Sequence, residues 1–206
     1  MLTSIVNSVS NFINVVFSKE AKKKLAENDR EFLLDYILEK KAWIDATIYE
    51  RKQKPSTIMS NKRMIITTLA DEINSNAQEI CRDFQNWHKK ICRRTDFGMR
   101  YGVWQKFVNM TFKYLYCMKD LFPEFDSIWS QCHCPIDTII AKSLNTQLQR
   151  IGASQAELEL SYLISRSKKI SWNNISEKNY ETFQKQVLQV CEVDNITPLQ
   201  FDFLYW

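Results

Sequence analysis

Gly102-Val-Trp-Gln-Lys-Phe-Val-Asn-Met-Thr-Phe-Lys-Tyr-Leu-Tyr-Cys-Met118 contains no proline and holds a glycine only at its first position. Placed on a helix, it gathers Trp104, Phe107, Val108, Thr111, Leu115 and Met118 on one side, with Lys106, Asn109 and Lys113 along the other. The segment predicts a long aromatic helix carrying a polar, basic stripe. The same scarcity of turn-formers runs through the whole chain. Its 206 residues include three Gly and four Pro, too few for the many tight connections of a β-sandwich or barrel. The predicted class is therefore all-α, a multi-helix globular domain. A hydrophobic content of 45% against 25% charged residues supplies a core and excludes disorder.

Moving outward from that helix, the periodicity continues. Ile5, Val6, Val9, Phe12, Ile13, Val16 and Phe17 form an apolar stripe on a first helix, to be laid on the body or on a partner. Asn28-Asp-Arg-Glu31 resembles a capping box ahead of Phe32, Leu33, Tyr36, Ile37, Lys40, Ile44 and Ile48, which predicts a helix running to about Lys52. Lys54-Pro-Ser-Thr57 breaks it and divides an N-terminal helical pair, residues 1–55, from a main helical domain, residues 56–206. Asn61 to His88 reads as two helices broken near Asn74-Ser-Asn76. Thr95-Asp-Phe-Gly-Met-Arg-Tyr-Gly102 is a turn holding two of the three glycines, a sign of special backbone demands. Leu121 to Gln131 is a connection with Pro123, and Pro135 suits a helix start with Asp137 in the first turn, where a carboxylate complements the dipole. Helices over Ser154 to Arg166, from Ser176 and from Thr197-Pro198 complete the chain.

Charge and cysteine content narrow the function. The net charge of +4 is modest, but Arg82 to Lys113 holds eight basic residues against two acids, a segment suited to phosphates or to a solvated face. Six cysteines lack a secretory context, and Met1 to Phe17 has neither a basic n-region nor a small-residue cleavage site. A cytoplasmic protein with reduced thiols and no membrane span is the expectation. Cys132-His133-Cys134 lacks the second ligand pair of a zinc site, and no metal or cofactor is expected. Walker loops, dinucleotide fingerprints and His-Glu-x-x-His motifs are absent from the sequence.

A lysine near one helix start and an aspartate near another can build an imine-forming site, provided the amine is partly desolvated, because only the neutral amine attacks carbon. Gly102-x-x-x-Lys106 after a glycine-containing turn, followed by Pro135-x-Asp137 at the next helix start, resembles the helix-hairpin-helix DNA glycosylases of the 8-oxoguanine type. The resemblance covers about residues 95–206 and includes the later Tyr180-Glu-Thr-Phe183 and Pro198-Leu-Gln-Phe201-Asp-Phe203 segments. It implies DNA as partner, a hairpin glycine at Gly102 whose neighbouring amides hold a phosphate, Lys106 as nucleophile at the sugar's anomeric carbon, and Asp137 as the assisting carboxylate. Arg93, Arg94, Arg100 and Lys113 would then grip the backbone. Trp104, Phe107, Trp129 and Trp172 are candidates for stacking on an extruded base.

Each of these residues also has a structural explanation: a solvated lysine, a helix-start carboxylate, core aromatics, a solvated basic face. The competing reading is a non-catalytic helical protein that binds nucleic acid through its basic segment, or a protein partner through its N-terminal helix, for example in phage defence or its evasion.

Overall fold

A computed structural model describes residues 2–48, 57–166 and 170–206. The expected boundary at residues 55/56 lies outside them, as do Lys52 and Lys54 to Ser56. Among the described residues every regular element is helical. The helices are α1 (Leu2–Val16), α2 (Lys19–Ala26), α3 (Arg30–Tyr36), α4 (Trp43–Ala46), α5 (Thr57–Ser60), α6 (Lys62–Ser75), α7 (Ala77–Arg82), α8 (Phe84–Cys92), α9 (Tyr101–Tyr116), α10 (Thr138–Arg150), α11 (Gln155–Ser165), α12 (Glu177–Asp194) and α13 (Pro198–Tyr205). Short 3-10 turns occupy Lys119–Leu121, Pro123–Phe125 and Trp172–Asn174.

Helix α9 is the axle of the molecule. Every residue from Gly102 to Leu115 is buried. A helix buried on all sides must be covered from every direction, and α8, α4, α12 and the Trp172 turn all pack on it. This corrects one expectation: the Lys106–Asn109–Lys113 stripe does not face solvent but is enclosed by helices from both ends of the chain.

Between α3 and α4 the backbone passes through a π-helical segment, Ile37–Ala42, which inserts one extra residue per turn without breaking the rod. The insertion decides which side chains meet α9. Leu33 and Leu34 are buried before it, Ile37, Leu38 and Ala42 within it, and Trp43, Ala46 and Thr47 after it. Ile44 and Ile48, expected on the buried stripe, are instead 37% and 46% exposed, because the π turn shifts the stripe by one residue. The α4 helix ends at Ala46, short of the Lys52 predicted from periodicity.

Two hydrophobic clusters share the interior. The first joins Phe12, Leu33, Trp43, Leu69, Trp87, Phe107, Phe112, Phe125 and Cys132 with Phe203. The second joins Cys134, Ile140, Leu144, Tyr180, Phe183 and Phe201. The N-terminal helices thus belong to the same core as α9. Cys132 and Cys134 are buried in different clusters, so the chain crosses from one to the other at the tripeptide Cys132-His133-Cys134, and α13 bridges them again through Phe201 and Phe203.

Local chemistry explains about half of the helix starts. Ser18, Asp29, Asp83, Asp137, Ser176 and Thr197 each accept a backbone N–H of the first turn. Asp29, rather than Asn28, is the N-cap of α3, and Asn28 takes a left-handed φ of 55°. Asp137 is the N-cap of α10, one position before the first turn in which it was expected, and Pro135 lies outside the helix. Among the described residues no helix is long and apolar enough to cross a membrane.

Candidate functional site

Lys106 and Asp137 come from different helices and meet. Asp137 is held by its capping role: Oδ1 accepts the Ile140 N–H at 2.8 Å, which leaves Oδ2 pointing away from α10. Lys106, on the first turns of α9, reaches that oxygen at 3.5 Å and donates to the Ile136 carbonyl at 3.0 Å. Its ammonium lies 5.7 Å from the Trp172 ring centroid. Lys106 is only 4% exposed, so its amine is removed from bulk water while remaining at the wall of a cleft of about 520 Å³.

The cleft has two walls of different origin. Lys106, Met110 and Tyr114 of α9, with Asp137 and Trp172, make one side; Phe12 and Val16 of α1 and Lys40, Lys41, Ile44, Asp45 and Ile48 make the other, with Trp206 at an edge. Tyr114 donates from its hydroxyl to Asp45 Oδ2 at 2.7 Å, which ties the walls together. Burial and the nearby Asp45 carboxylate push the Tyr114 hydroxyl far above its ordinary pKa, so it remains a neutral donor. The stretch from Phe12 to Ile48, outside the part of the chain that the resemblance covers, therefore supplies half of the site's enclosure. Sequence reasoning missed Lys40, Lys41, Asp45, Tyr114 and Trp206; the first three arrive through the packing of the π-helical segment and α4 on α9, and Trp206 follows α13, which packs on α1.

Trp172 is the one stacking candidate that lines this cleft. Trp104 packs against Phe107, which stands edge-on to Trp43, all three fully within the first cluster. Trp129 is buried between Tyr116 and Phe125 and donates its indole N–H to Asp126 at 3.0 Å. These three are core residues, held away from any ligand by close packing.

The expected phosphate grip is also rearranged. Gly102 does not sit at an open turn: a Cβ there would lie 2.7 Å from the Asn173 carbonyl carbon and closer still to the Trp172 oxygen. Its role is to let α9 touch the Trp172 turn backbone to backbone. The N–H groups of Val103 and Trp104 both donate to the Arg100 carbonyl, so they are not directed at a ligand. It is Gly98, with φ of 72°, that carries the left-handed turn. Lys113 is 1% exposed and ion-paired with Asp202, its ammonium 4.5 to 5.1 Å from the rings of Phe12, Trp206 and Phe203. A phosphate cannot reach it.

The rest of the basic run is largely matched by carboxylates. Arg93 engages Glu177 through Nε at 3.0 Å and through a terminal nitrogen at 2.8 Å. Lys89 reaches Glu177 at 3.1 Å and Glu181 at 2.9 Å, Lys90 lies 3.8 Å from Glu79, and Arg94 pairs with Asp96. Arg100 hydrogen-bonds Asn174, beside the Trp172 turn. The acids of α12, distant in sequence, neutralise the face that composition alone marked as positive.

A second polar assembly lies at the seam between the two clusters. His88 Nε2 is 2.8 Å from Asn109 Oδ1, Asn109 donates to the Tyr180 hydroxyl at 2.9 Å, and that hydroxyl is 2.6 Å from His133 Nδ1. His133 Nε2 is 2.6 Å from Gln85 Oε1. The His88 and His133 rings are 4.5 Å apart. Burial holds the His88 imidazole down at about 4, with Asn109 opposing; burial and the neighbouring His88 push His133 well below its usual value. Both rings are neutral at pH 7.

Comparison with known protein families, characterised proteins and solved structures finds no match.

Proposed function

We propose that this protein is a DNA glycosylase-like enzyme that acts on a damaged or modified base through a lysine imine. The observation that carries the reading is the meeting of Lys106 and Asp137, 31 residues apart in sequence, at 3.5 Å on one wall of a cleft with Trp172 beside them. The apposition is useful chemically because the ammonium must lose a proton before it attacks, and Asp137 Oδ2 is the adjacent acceptor. The Lys106 nitrogen then bonds the anomeric carbon as the glycosidic C–N bond breaks. The bond's electron pair leaves with the base, which takes up a proton. Loss of a second proton from nitrogen and its return to the ring oxygen, with Asp137 as carrier, opens the sugar to the imine. The Ile136 carbonyl holds the amine in position, and Trp172 offers an apolar face to an extruded nucleotide.

The test is borohydride trapping of the full chain on duplexes carrying 8-oxoguanine or an abasic site. A covalent adduct is expected, lost in Lys106→Gln and slowed by about 10² or more in Asp137→Asn, the range of general acid–base assistance. Binding without an adduct on either duplex would sink the imine mechanism. One observation favours a second reading, binding without chemistry: Lys106 is already matched by a carbonyl and a carboxylate, much as Lys113 is matched by Asp202. In that case Lys106→Gln lowers stability and no wild-type adduct forms. A partner docked on α1 finds little of its apolar stripe, since Ile5, Phe12 and Phe17 are buried in the body, although Val6 and Val15 remain exposed.

A further inference from the structure

We infer that the N-terminal wall of the cleft, through Lys40 and Lys41, holds the backbone phosphate of the nucleic-acid strand whose nucleotide enters it; the inference rests on the proposed reading of the cleft as a nucleic-acid site. Three observations converge on these two lysines.

The first is position. Lys40 and Lys41 lie on the π-helical segment and line the same cleft as Lys106, on the opposite wall, with Ile44, Ile48 and Met110 among the apolar residues of its lining. A cleft of about 520 Å³ accommodates a nucleotide. Cations on the N-terminal wall and an amine with an indole on the other match a ligand with an anionic edge and a flat, apolar body.

The second is charge balance. Of the cleft's own carboxylates, Asp137 is matched by Lys106, while Asp45, held by the neutral Tyr114 hydroxyl, sets one negative charge against the two lysines of its wall. Glu39, the carboxylate nearest Lys40 at 3.3 Å, is shared with Lys62 at 3.2 Å, so one negative charge faces two positive ones. Lys41 lies 5.5 Å over the Tyr36 ring. This wall therefore keeps an excess of positive charge for an incoming anion.

The third is the fate of the alternative. The basic run at Lys89 to Arg94, where composition placed the phosphate contacts, is matched by Glu79, Asp96, Glu177 and Glu181. A phosphate there would have to displace pairs formed with four carboxylates, whereas on this wall Lys41 has no carboxylate partner among the described residues and Lys40 has only Glu39, which it shares with Lys62.

The experiment is fluorescence anisotropy on the full chain with a labelled duplex carrying a tetrahydrofuran abasic analogue, across a series of salt concentrations. Each phosphate contact contributes about 0.9 to the slope of log affinity against log salt. Lys40→Gln/Lys41→Gln is expected to lower the slope by about 2 and to weaken binding on the order of 50-fold at about 0.1 M salt, while Arg93→Gln leaves both unchanged. Lys40→Arg/Lys41→Arg should retain wild-type binding, and thermal melting of all variants checks the fold. A double Gln variant that keeps the wild-type slope and affinity, or a slope that moves with Arg93→Gln instead, overturns the inference while leaving an Lys106 adduct standing. A wild-type chain that binds no duplex and forms no adduct overturns this inference and the proposed function together.

Discussion

Lys113 and Asp202 show how differently two lysines of one stripe can be used. Lys106 opens to a cleft, whereas seven residues later Lys113 is sealed by Phe12, Phe203 and Trp206 with Asp202 as its counter-ion. Burial raises the Asp202 carboxyl, and Lys113 opposes that shift. A buried pair contributes little net stability relative to apolar residues, but breaking it strands a charge. Asp202→Asn should therefore cost about 3 to 5 kcal/mol in urea unfolding, and Lys113→Met/Asp202→Leu should recover most of it. An Asp202→Asn protein as stable as wild type would show that the aromatic cage alone holds the ammonium. Sequence periodicity placed Lys113 on the right stripe, yet nothing local distinguishes it from Lys106; the difference is made by α1 and α13, which arrive from the two ends of the chain.

Among the elements, α9 and the Trp172 turn make the contact on which the site depends. Glycine inside a helix normally costs about 1 kcal/mol relative to alanine. Gly102→Ala should reverse that sign, because its Cβ meets the Trp172–Asn173 backbone rather than a flexible side chain. Overpacking of this kind costs roughly 1 to 3 kcal/mol. The expected result is a lowered urea midpoint together with weaker borohydride trapping, as Trp172 is pushed from its place beside Lys106; a stabilised variant with unaltered trapping would argue against the contact.

What was legible at this scale follows from locality. The caps at Ser154, Ser176 and Thr197 and the break at Asn76 are written in neighbouring residues, and the helices stand where those signals put them. Lys106 and Asp137 were singled out by motif spacing, and they do converge. The π turn at Ile37–Ala42 was not legible: it and α4 pack on α9, a long-range contact that its own residues do not announce. The same holds for the basic run. Its neutralisation by Glu177 and Glu181 requires the α8–α12 apposition, which no window of sequence contains.

For the molecule as a whole, the histidine seam sets a pH window. His88 and His133 are neutral in the fold and have depressed pKa values, so below about 6.5 the unfolded chain binds more protons than the folded one. Stability contributed by the seam is complete above about pH 6.5 and is lost as pH falls towards 4. For His88 alone, moving from its ordinary value to about 4 corresponds to about 3 kcal/mol across that interval. The carboxylates held low by cationic partners, Glu177, Asp96 and Glu39, lose their contribution at still lower pH. Urea midpoints should therefore decline between pH 6.5 and 5, before ordinary carboxylates titrate, and His88→Gln should flatten that decline. A wild-type midpoint constant over that range would exclude the seam as the acid-labile element.

Burial of α9 along its whole length has a temporal side. A ribosome delivers the chain from its N-terminus, so this helix emerges while α12 and α13 are still unmade, and Asp202 follows Lys113 only far downstream. For that interval the most extensively buried helix of the molecule lacks part of its cover, and one face displays an ammonium without its counter-ion. Completion of the fold must wait until synthesis has passed α13, and refolding is expected to be slow compared with that of a bundle built from sequential neighbours.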